Sequence, residues 1–152
     1  MPKKVDLILV PTDFSGLSCE AFSWATLLAQ QFNAKILIVH VISERAAVDM
    51  TSQPGNPWEN VLEREDNAMV ENFQSCLLSD IKPNVEPQTL VEVGPAAEKL
   101  IEAAQEKDAD MIVMATHGRT GLSHALMGSV AEKVLRQAPC PVLTVRPKGD
   151  SS

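Results

Sequence analysis

The 152-residue chain lacks the features that mark several common classes of protein. It has no long block of basic residues, and its formal net charge is −7, so binding to nucleic acid has little electrostatic support. No apolar run approaches the roughly 20 residues that a membrane-spanning helix needs. The polar start and the short apolar run over residues 7–11 do not form a secretory signal peptide. We therefore expect a cytoplasmic protein that binds neither nucleic acid nor membranes.

Cysteine is scarce as well. The three cysteines are Cys19, Cys76 and Cys140, an odd number without the spacing of a metal site. This pattern is typical of a reducing compartment, so we expect three free thiols that serve as small core or surface residues. A reactive thiol is the alternative.

What the chain does contain is an alternation of short apolar runs and helical patterns. Hydrophobic residues make up 45% of it, which suits one folded domain over residues 1–152 with a polar tail over 147–152. The apolar runs show no polar alternation, which indicates strands buried on both faces of a parallel sheet. Right-handed crossovers then give an α/β fold, a Rossmann-like three-layer α/β/α sandwich around a five-stranded parallel sheet. Strands are predicted over residues 5–10, 36–41, 89–93, 111–115 and 142–145.

Local signals predict where several elements begin and end. The side chain of Ser15 or Ser18 is expected to cap the first helix. Residues 43–57 are expected to form a long loop, since their Pro-Gly-Asn-Pro segment is a strong turn signal. Pro83 is expected to end the second helix. Pro87 favours an edge position for the third strand, because proline cannot donate to a ladder.

The most informative stretch covers residues 111–129, reading MIVMATHGRTGLSHALMGS. An apolar strand is followed by a glycine-containing loop and then by a helix that starts at Gly128-Ser129. Ser129 and Glu132 have the spacing of a capping box, in which each side chain satisfies one free N–H group. Free N–H groups and the helix dipole together favour an anion. The stretch therefore predicts a phosphate-binding site.

A second loop is expected beside the first. The segment Pro11-Thr12-Asp13 follows the first strand directly, as Ala115 to Gly118 follow the fourth. Ligands of such sheets bind at the carboxyl ends of the strands, where the strand order reverses. If the first and fourth strands are neighbours, both loops line one crevice.

Two common nucleotide motifs are absent from this stretch. A P-loop needs Lys directly before Ser or Thr, whereas Ser129 follows Gly128, and no G-x-G-x-x-G pattern occurs. The spacing Ala115-x-x-Gly118, nine residues, Gly128-Ser129 instead resembles the ATP-binding signature of the universal stress protein family. The segments ATHGRTGL and GSVAEKVLRQAPCPVLTVR are similar to that family's C-terminal half. One position departs, because Ala115 stands where the family has glycine and its methyl group disfavours positive φ.

The resemblance implies a fold like that of adenine nucleotide alpha hydrolases and a bound ATP. The turn Pro11-Thr12-Asp13 would hold the adenosine, and the backbone at Val41 would pair with the adenine edge. Mg²⁺ or Mn²⁺ would sit on the phosphates with mainly water ligands and without a protein metal site. The phosphates would be bound by Gly118, Gly128 and Ser129, through backbone N–H groups and a hydroxyl, and Arg119 is a further candidate. The remaining expected cofactor-binding residues are Met114, Ala115, His117 and Val130.

Several of these residues also have plain structural interpretations. Asp13 suits a turn or a helix cap, and Arg119 suits a solvated surface position. His117 has no evident nucleophile beside it, so we interpret it as structural rather than catalytic. His40, inside a strand, is expected to be a hydrogen-bonded core or rim residue.

The resemblance favours an ATP-binding regulatory module of the stress response with little or no hydrolysis. The alternatives are a slow ATPase of the same α/β class and a dimeric stress protein that binds no nucleotide. A homodimer is expected through the last strand, Val142–Val145, because an apolar edge strand needs a cover. The alternative is a monomer whose edge is shielded by strand twist, Pro141 and Arg146.

Overall fold

A computed structural model describes residues 4–77, 86–116 and 128–146 of the chain. Within these residues the five predicted strands and four predicted helices occur in the predicted order, and one further helix lies between the second strand and the helix predicted to follow it. A short 3₁₀ turn at Gly16–Ser18 precedes the first helix. Strand bounds differ from the predicted ones by at most two residues. In chain order the elements are β1 Leu7–Pro11, α1 Cys19–Phe32, β2 Lys35–Ile42, α2 Glu44–Thr51, α3 Trp58–Cys76, β3 Gln88–Val93, α4 Ala96–Glu106, β4 Met111–Ala115, α5 Ser129–Gln137 and β5 Val142–Val145.

The strands form one parallel sheet in the order β3-β2-β1-β4-β5. The central strand β1 pairs with β2 on one side and with β4 on the other. From β1 the chain adds β2 and β3 on one side of the sheet, and it then returns to add β4 and β5 on the other side. The strand order therefore reverses between β1 and β4, whose carboxyl ends lie side by side as predicted. Strand β3 lies at one edge, which confirms the prediction from Pro87, and β5 lies at the other.

Both faces of the sheet are buried, which confirms the expectation from the unbroken apolar runs. Ile8 and Val10 belong to the core under α1 and α3, whereas Leu9 between them belongs to the core under α4 and α5. Phe22 and Phe73 meet edge-to-face in the first core, with ring centroids 5.4 Å apart. The fold is thus the expected three-layer sandwich.

The segment between β2 and α3 differs from its prediction as a long loop. Residues Glu44–Thr51 form α2, and the side chain of Ser43 caps this helix by accepting a hydrogen bond from the Ala46 N–H at 3.1 Å. None of the α2 residues is buried, so the helix leaves no apolar stripe in the sequence. The turn signal acts only on the residues after the helix.

Two other expected helix boundaries are also corrected. Ser15 and Ser18 make no side-chain cap, and the Ser18 hydroxyl donates instead to the Ser15 carbonyl at 2.7 Å. The intervening 3₁₀ turn changes the geometry that a capping hydroxyl needs. Helix α3 ends at Cys76, because Leu77 is extended; the predicted stop at Pro83 lies outside the described residues.

The expectation of three free thiols is wrong for two of them. Cys19 begins α1, Cys76 ends α3, and the two form a disulfide with their Cα atoms 4.8 Å apart. Cys140 is free of any disulfide. The pairing follows from the fold, because α1 and α3 pack side by side on one face of the sheet. In the described part of the chain, no helix is long and apolar enough to cross a membrane.

Candidate functional site

A cleft of about 330 Å³ opens at the carboxyl ends of β1, β2 and β4. Nine of the twelve predicted site residues line it, namely Pro11, Thr12, Asp13, Val41, Met114, Ala115, Gly128, Ser129 and Val130. The other three, His117, Gly118 and Arg119, lie outside the described residues. The two loops that the sequence predicted to share a crevice therefore do so.

One wall of the cleft is the turn after β1, which is fixed through Thr12. The Thr12 N–H donates to the Val39 carbonyl at 2.9 Å, which extends the β1–β2 ladder by one residue. Its carbonyl accepts from His40 Nδ1 at 3.0 Å. Its hydroxyl accepts from the Phe14 N–H at 3.0 Å and donates to Asn72 Oδ1 at 2.8 Å. Thr12 is 6% exposed, so these bonds satisfy polar groups that water hardly reaches.

Asp13 and Phe14 shape the same wall. Asp13 Oδ1 accepts from the Ser15 N–H at 2.9 Å, an Asx turn that leads into the 3₁₀ turn. Asp13 therefore has the structural role of a turn residue, and it also lines the cleft. Phe14 has a φ of 65°, and its ring packs on His40 with centroids 4.4 Å apart. Such backbone strain in a non-glycine residue tends to occur at functional sites.

The opposite wall is the N-terminus of α5. Gly128 is the N-cap of α5, and Ser129 is the first helical residue. The helix has no side-chain hydrogen bond at its N-cap. The predicted capping box is therefore wrong, because the helix begins one residue earlier than the motif requires. The Glu132 side chain instead accepts from Arg136, one turn further along α5.

The backbone of this wall has a defined set of free donors. The Gly128 N–H donates to the Thr116 carbonyl at 2.8 Å, so it already has a partner. Ser129, Val130 and Ala131 occupy the first turn of α5, where an N–H group has no carbonyl within the helix to bind. All three line the cleft. The dipole of α5 adds partial positive charge at the same point, which makes this wall suited to an anion.

Between the two walls the cleft is largely apolar. Val39 and Val41 come from β2, Met114 from β4 and Leu100 from α4. Within the described residues, no group of three or more His, Cys, Asp or Glu side chains could hold a metal ion. The cleft thus combines an anion site with an apolar surface and one carboxylate, Asp13.

Sequence reasoning missed eight lining residues. Thr116 follows β4 directly and Ala96 begins the helix after β3, so the strand-end rule could have identified both. His40 was expected to be a core or rim residue, and it is hydrogen-bonded as expected but also faces the cleft. The others are brought in by tertiary packing and carry no motif; they are Ser15, Ser18, Val39, Leu100 and Ala131.

Comparison with known proteins agrees with this fold. The family model described as "Universal stress protein family" matches residues 4–146. Universal stress protein MJ0531 of Methanocaldococcus jannaschii is 37% identical over 143 residues, covering 91% of this chain and 81% of the relative.

Solved structures show the same architecture. The structure of M. jannaschii protein MJ0577 is 29% identical, with a TM-score of 0.75 and coverage of 97% of this chain and 100% of that one. The universal stress protein of Archaeoglobus fulgidus in complex with dAMP has a TM-score of 0.63 at 19% identity, covering 93% and 98% of the two chains. Because the family model spans nearly all of the sequence, the chain belongs to the universal stress protein family.

Proposed function

We propose that the chain binds ATP in the cleft and acts as a regulatory module of the stress response. One observation carries the proposal: the α5 N-terminus and the turn after β1 face each other across one cleft, where the strand order reverses. A crevice at this position of an open α/β sheet is the usual ligand site. Its volume of about 330 Å³ lies in the range of pockets that enclose small organic ligands.

The geometry suggests which groups would hold each part of the nucleotide. The free N–H groups of Ser129 and Val130, with the Ser129 hydroxyl, suit the phosphates. The Gly128 N–H is already bonded to Thr116, so in this arrangement Gly128 would contribute close approach rather than a donor. Asp13 lines the cleft and can accept from ribose hydroxyls. The apolar side chains around Val41 suit the adenine ring.

The A. fulgidus neighbour has the same fold and was solved in complex with dAMP, which supports an adenine nucleotide as the ligand of this chain. The triphosphate is argued from this chain's own residues. It would extend the charged end along the first turn of α5. The family signature also assigns Gly118 to the phosphates. Mg²⁺ or Mn²⁺ would neutralise the triphosphate through phosphate oxygens and water.

We further propose that hydrolysis is slow or absent. Asp13 and His40 are the titratable side chains among the described lining residues. Both belong to the side of the cleft built by β1 and β2, whereas the α5 residues proposed to hold the phosphates contribute no carboxylate or imidazole to the described lining. A general base must reach the attacking water. Rapid phosphate release that His117→Ala abolishes would favour the slow-ATPase alternative.

A homodimer through β5 is the second part of the proposal. Strand β5 is a sheet edge, and the helices α1 and α5 both pack on it. Those two helices expose large apolar side chains, among them Trp24, Leu27 and Leu135, each more than 40% exposed. A second copy that pairs antiparallel with Val142–Val145 would satisfy the edge and could cover part of this surface.

Calorimetry on a matched pair of glycine variants tests ATP binding. Gly128 has a φ of −64°, a value open to every residue, so Gly128→Val should fold and yet block phosphate approach. Gly16→Val is the control, because a Cβ atom added there meets no atom within 4 Å. We expect loss of ATP binding in the first variant and retention in the second. Equal affinity of both folded variants would contradict this phosphate site.

A further inference from the structure

The turn after β1 is held by two side chains that come from distant parts of the sequence. Thr12 uses its N–H, its carbonyl and its hydroxyl in hydrogen bonds. The bond from its N–H to Val39 belongs to the sheet, and the bond from Phe14 lies within the turn. The Ser18 hydroxyl lies 3.4 Å from the Thr12 hydroxyl, six residues further along the chain. The two distant partners are His40 on β2 and Asn72 on α3, 28 and 60 residues away.

Asn72 is remote from the cleft and reaches it only through Thr12. It is not among the lining residues, and its Oδ1 accepts from the Thr12 hydroxyl at 2.8 Å. Its amide nitrogen points toward Cys76 Sγ at 3.9 Å, one helical turn further on. The Cys19–Cys76 disulfide anchors that turn of α3 to the start of α1. The Asn72 amide is therefore oriented from both of its ends.

His40 holds the same residue from the other side. A carbonyl oxygen can only accept a hydrogen bond, so His40 Nδ1 must donate to Thr12. The imidazole also packs on Phe14, which has the strained φ of 65°. A non-glycine residue keeps such a conformation only where its surroundings enforce it. His40 and Asn72 supply that enforcement at the carbonyl and the hydroxyl of Thr12.

We propose that Asn72 and His40 are positioning residues for nucleotide binding, an inference that rests on the proposed function. Asn72 acts through Thr12 alone, whereas His40 acts through Thr12 and also lines the cleft. Both fix the turn in which Asp13 faces the ligand. Without the Asn72 acceptor the Thr12 side chain can change its χ1 rotamer, which moves its oxygen away from the Phe14 N–H. Without the His40 donor the Thr12 carbonyl loses its bond and the ring no longer supports Phe14. Either change lets the wall of the cleft move.

Four variants separate positioning from packing. Asn72→Leu and His40→Leu remove the hydrogen bond and keep bulk. Asn72→Asp keeps an acceptor for Thr12, and His40→Asn keeps a donor close to the position of Nδ1. We expect each Leu variant to weaken ATP binding by about 10-fold, the loss that follows from one unmade buried hydrogen bond. The polar variants should stay within about 3-fold of the parent. Calorimetry measures the affinities, and circular dichroism checks the fold.

A second readout works without any nucleotide. Amide hydrogen exchange by NMR reports the Phe14 N–H, which donates to Thr12 within the turn. We expect faster exchange at Phe14 in both Leu variants and exchange near the parent rate in both polar variants. In a Thr12→Val background, Asn72→Leu should cause no further loss of affinity, because the pair then has no bond left to break.

The two readouts distinguish the possible failures. If the parent protein does not bind ATP but Phe14 exchange responds as expected, the proposed ligand is wrong and the positioning of the turn stands. If the parent binds ATP and both Leu variants bind it equally well, the inference is overturned. Unchanged Phe14 exchange in the Leu variants overturns it too, whether or not ATP binds. Equal weakening by the Leu and the polar variants would indicate packing instead, and would also contradict it.

Discussion

Breaking the Cys19–Cys76 disulfide should destabilise the protein by a calculable amount. The bond joins residues 57 positions apart, so it restricts the unfolded chain strongly. For a loop of this length the chain-entropy relation gives about 4 kcal/mol at 25 °C. A domain of ordinary stability has only about 5–15 kcal/mol in total. Reduction should therefore remove a large fraction of the free energy of unfolding, and the melting temperature should fall by about 10 °C for a chain of this size.

The assay is thermal unfolding with and without a dithiol reductant, combined with a count of reactive thiols under denaturing conditions. The count should rise on reduction from one thiol, Cys140, to three. A Cys19→Ser, Cys76→Ser double variant should melt at the temperature of the reduced parent. Its melting temperature should not change when the reductant is added. Cys140→Ser should behave like the parent. Three thiols without reductant would refute the pairing, and an unchanged melting temperature after complete reduction would refute the entropic argument.

Three further results follow from the fold and the proposed site. Phe73→Ala should lower the free energy of unfolding by about 3–5 kcal/mol, because Phe73 is fully buried against Phe22; a loss below 1 kcal/mol in urea unfolding would contradict the packing. Removal of divalent cations with EDTA should weaken ATP binding in calorimetry, because the phosphate charge then lacks a counterion, and unchanged affinity would argue against the metal. Leu143→Pro should give monomers in analytical ultracentrifugation, since proline cannot donate to an edge ladder; a parent protein that sediments as a monomer at tens of micromolar would disprove the dimer.

The parts of the structure that could be predicted from sequence are those that hydrophobic pattern controls. Strand β4, Met111–Ala115, and strand β5, Val142–Val145, begin and end where the apolar runs do. Both are bounded by polar residues or proline, and both contribute to the two buried cores. The neighbouring positions of β1 and β4 followed from the usual order of such sheets. That adjacency in turn located most of the cleft.

The parts that could not be predicted depend on tertiary contacts or on small geometric differences. No residue of helix α2 is buried, so no apolar stripe in the sequence indicated this helix. The Cys19–Cys76 bond links two helix ends whose approach only the folded sheet creates. Ser129 and Glu132 have the spacing of a capping box, but the N-cap of α5 is Gly128. This shift of one residue removes Ser129 from the capping position. Asn72 carries no motif, and its link to Thr12 depends on how α3 packs.

The most direct test of the central claim is mass spectrometry of the nucleotide carried by natively purified protein, followed by titration of the stripped protein with ATP. We expect an adenine nucleotide in the purified sample. We also expect saturable ATP binding that Gly128→Val abolishes and Gly16→Val retains. A natively purified protein that carries no adenine nucleotide, and that shows no saturable binding at millimolar ATP after stripping, would contradict the account.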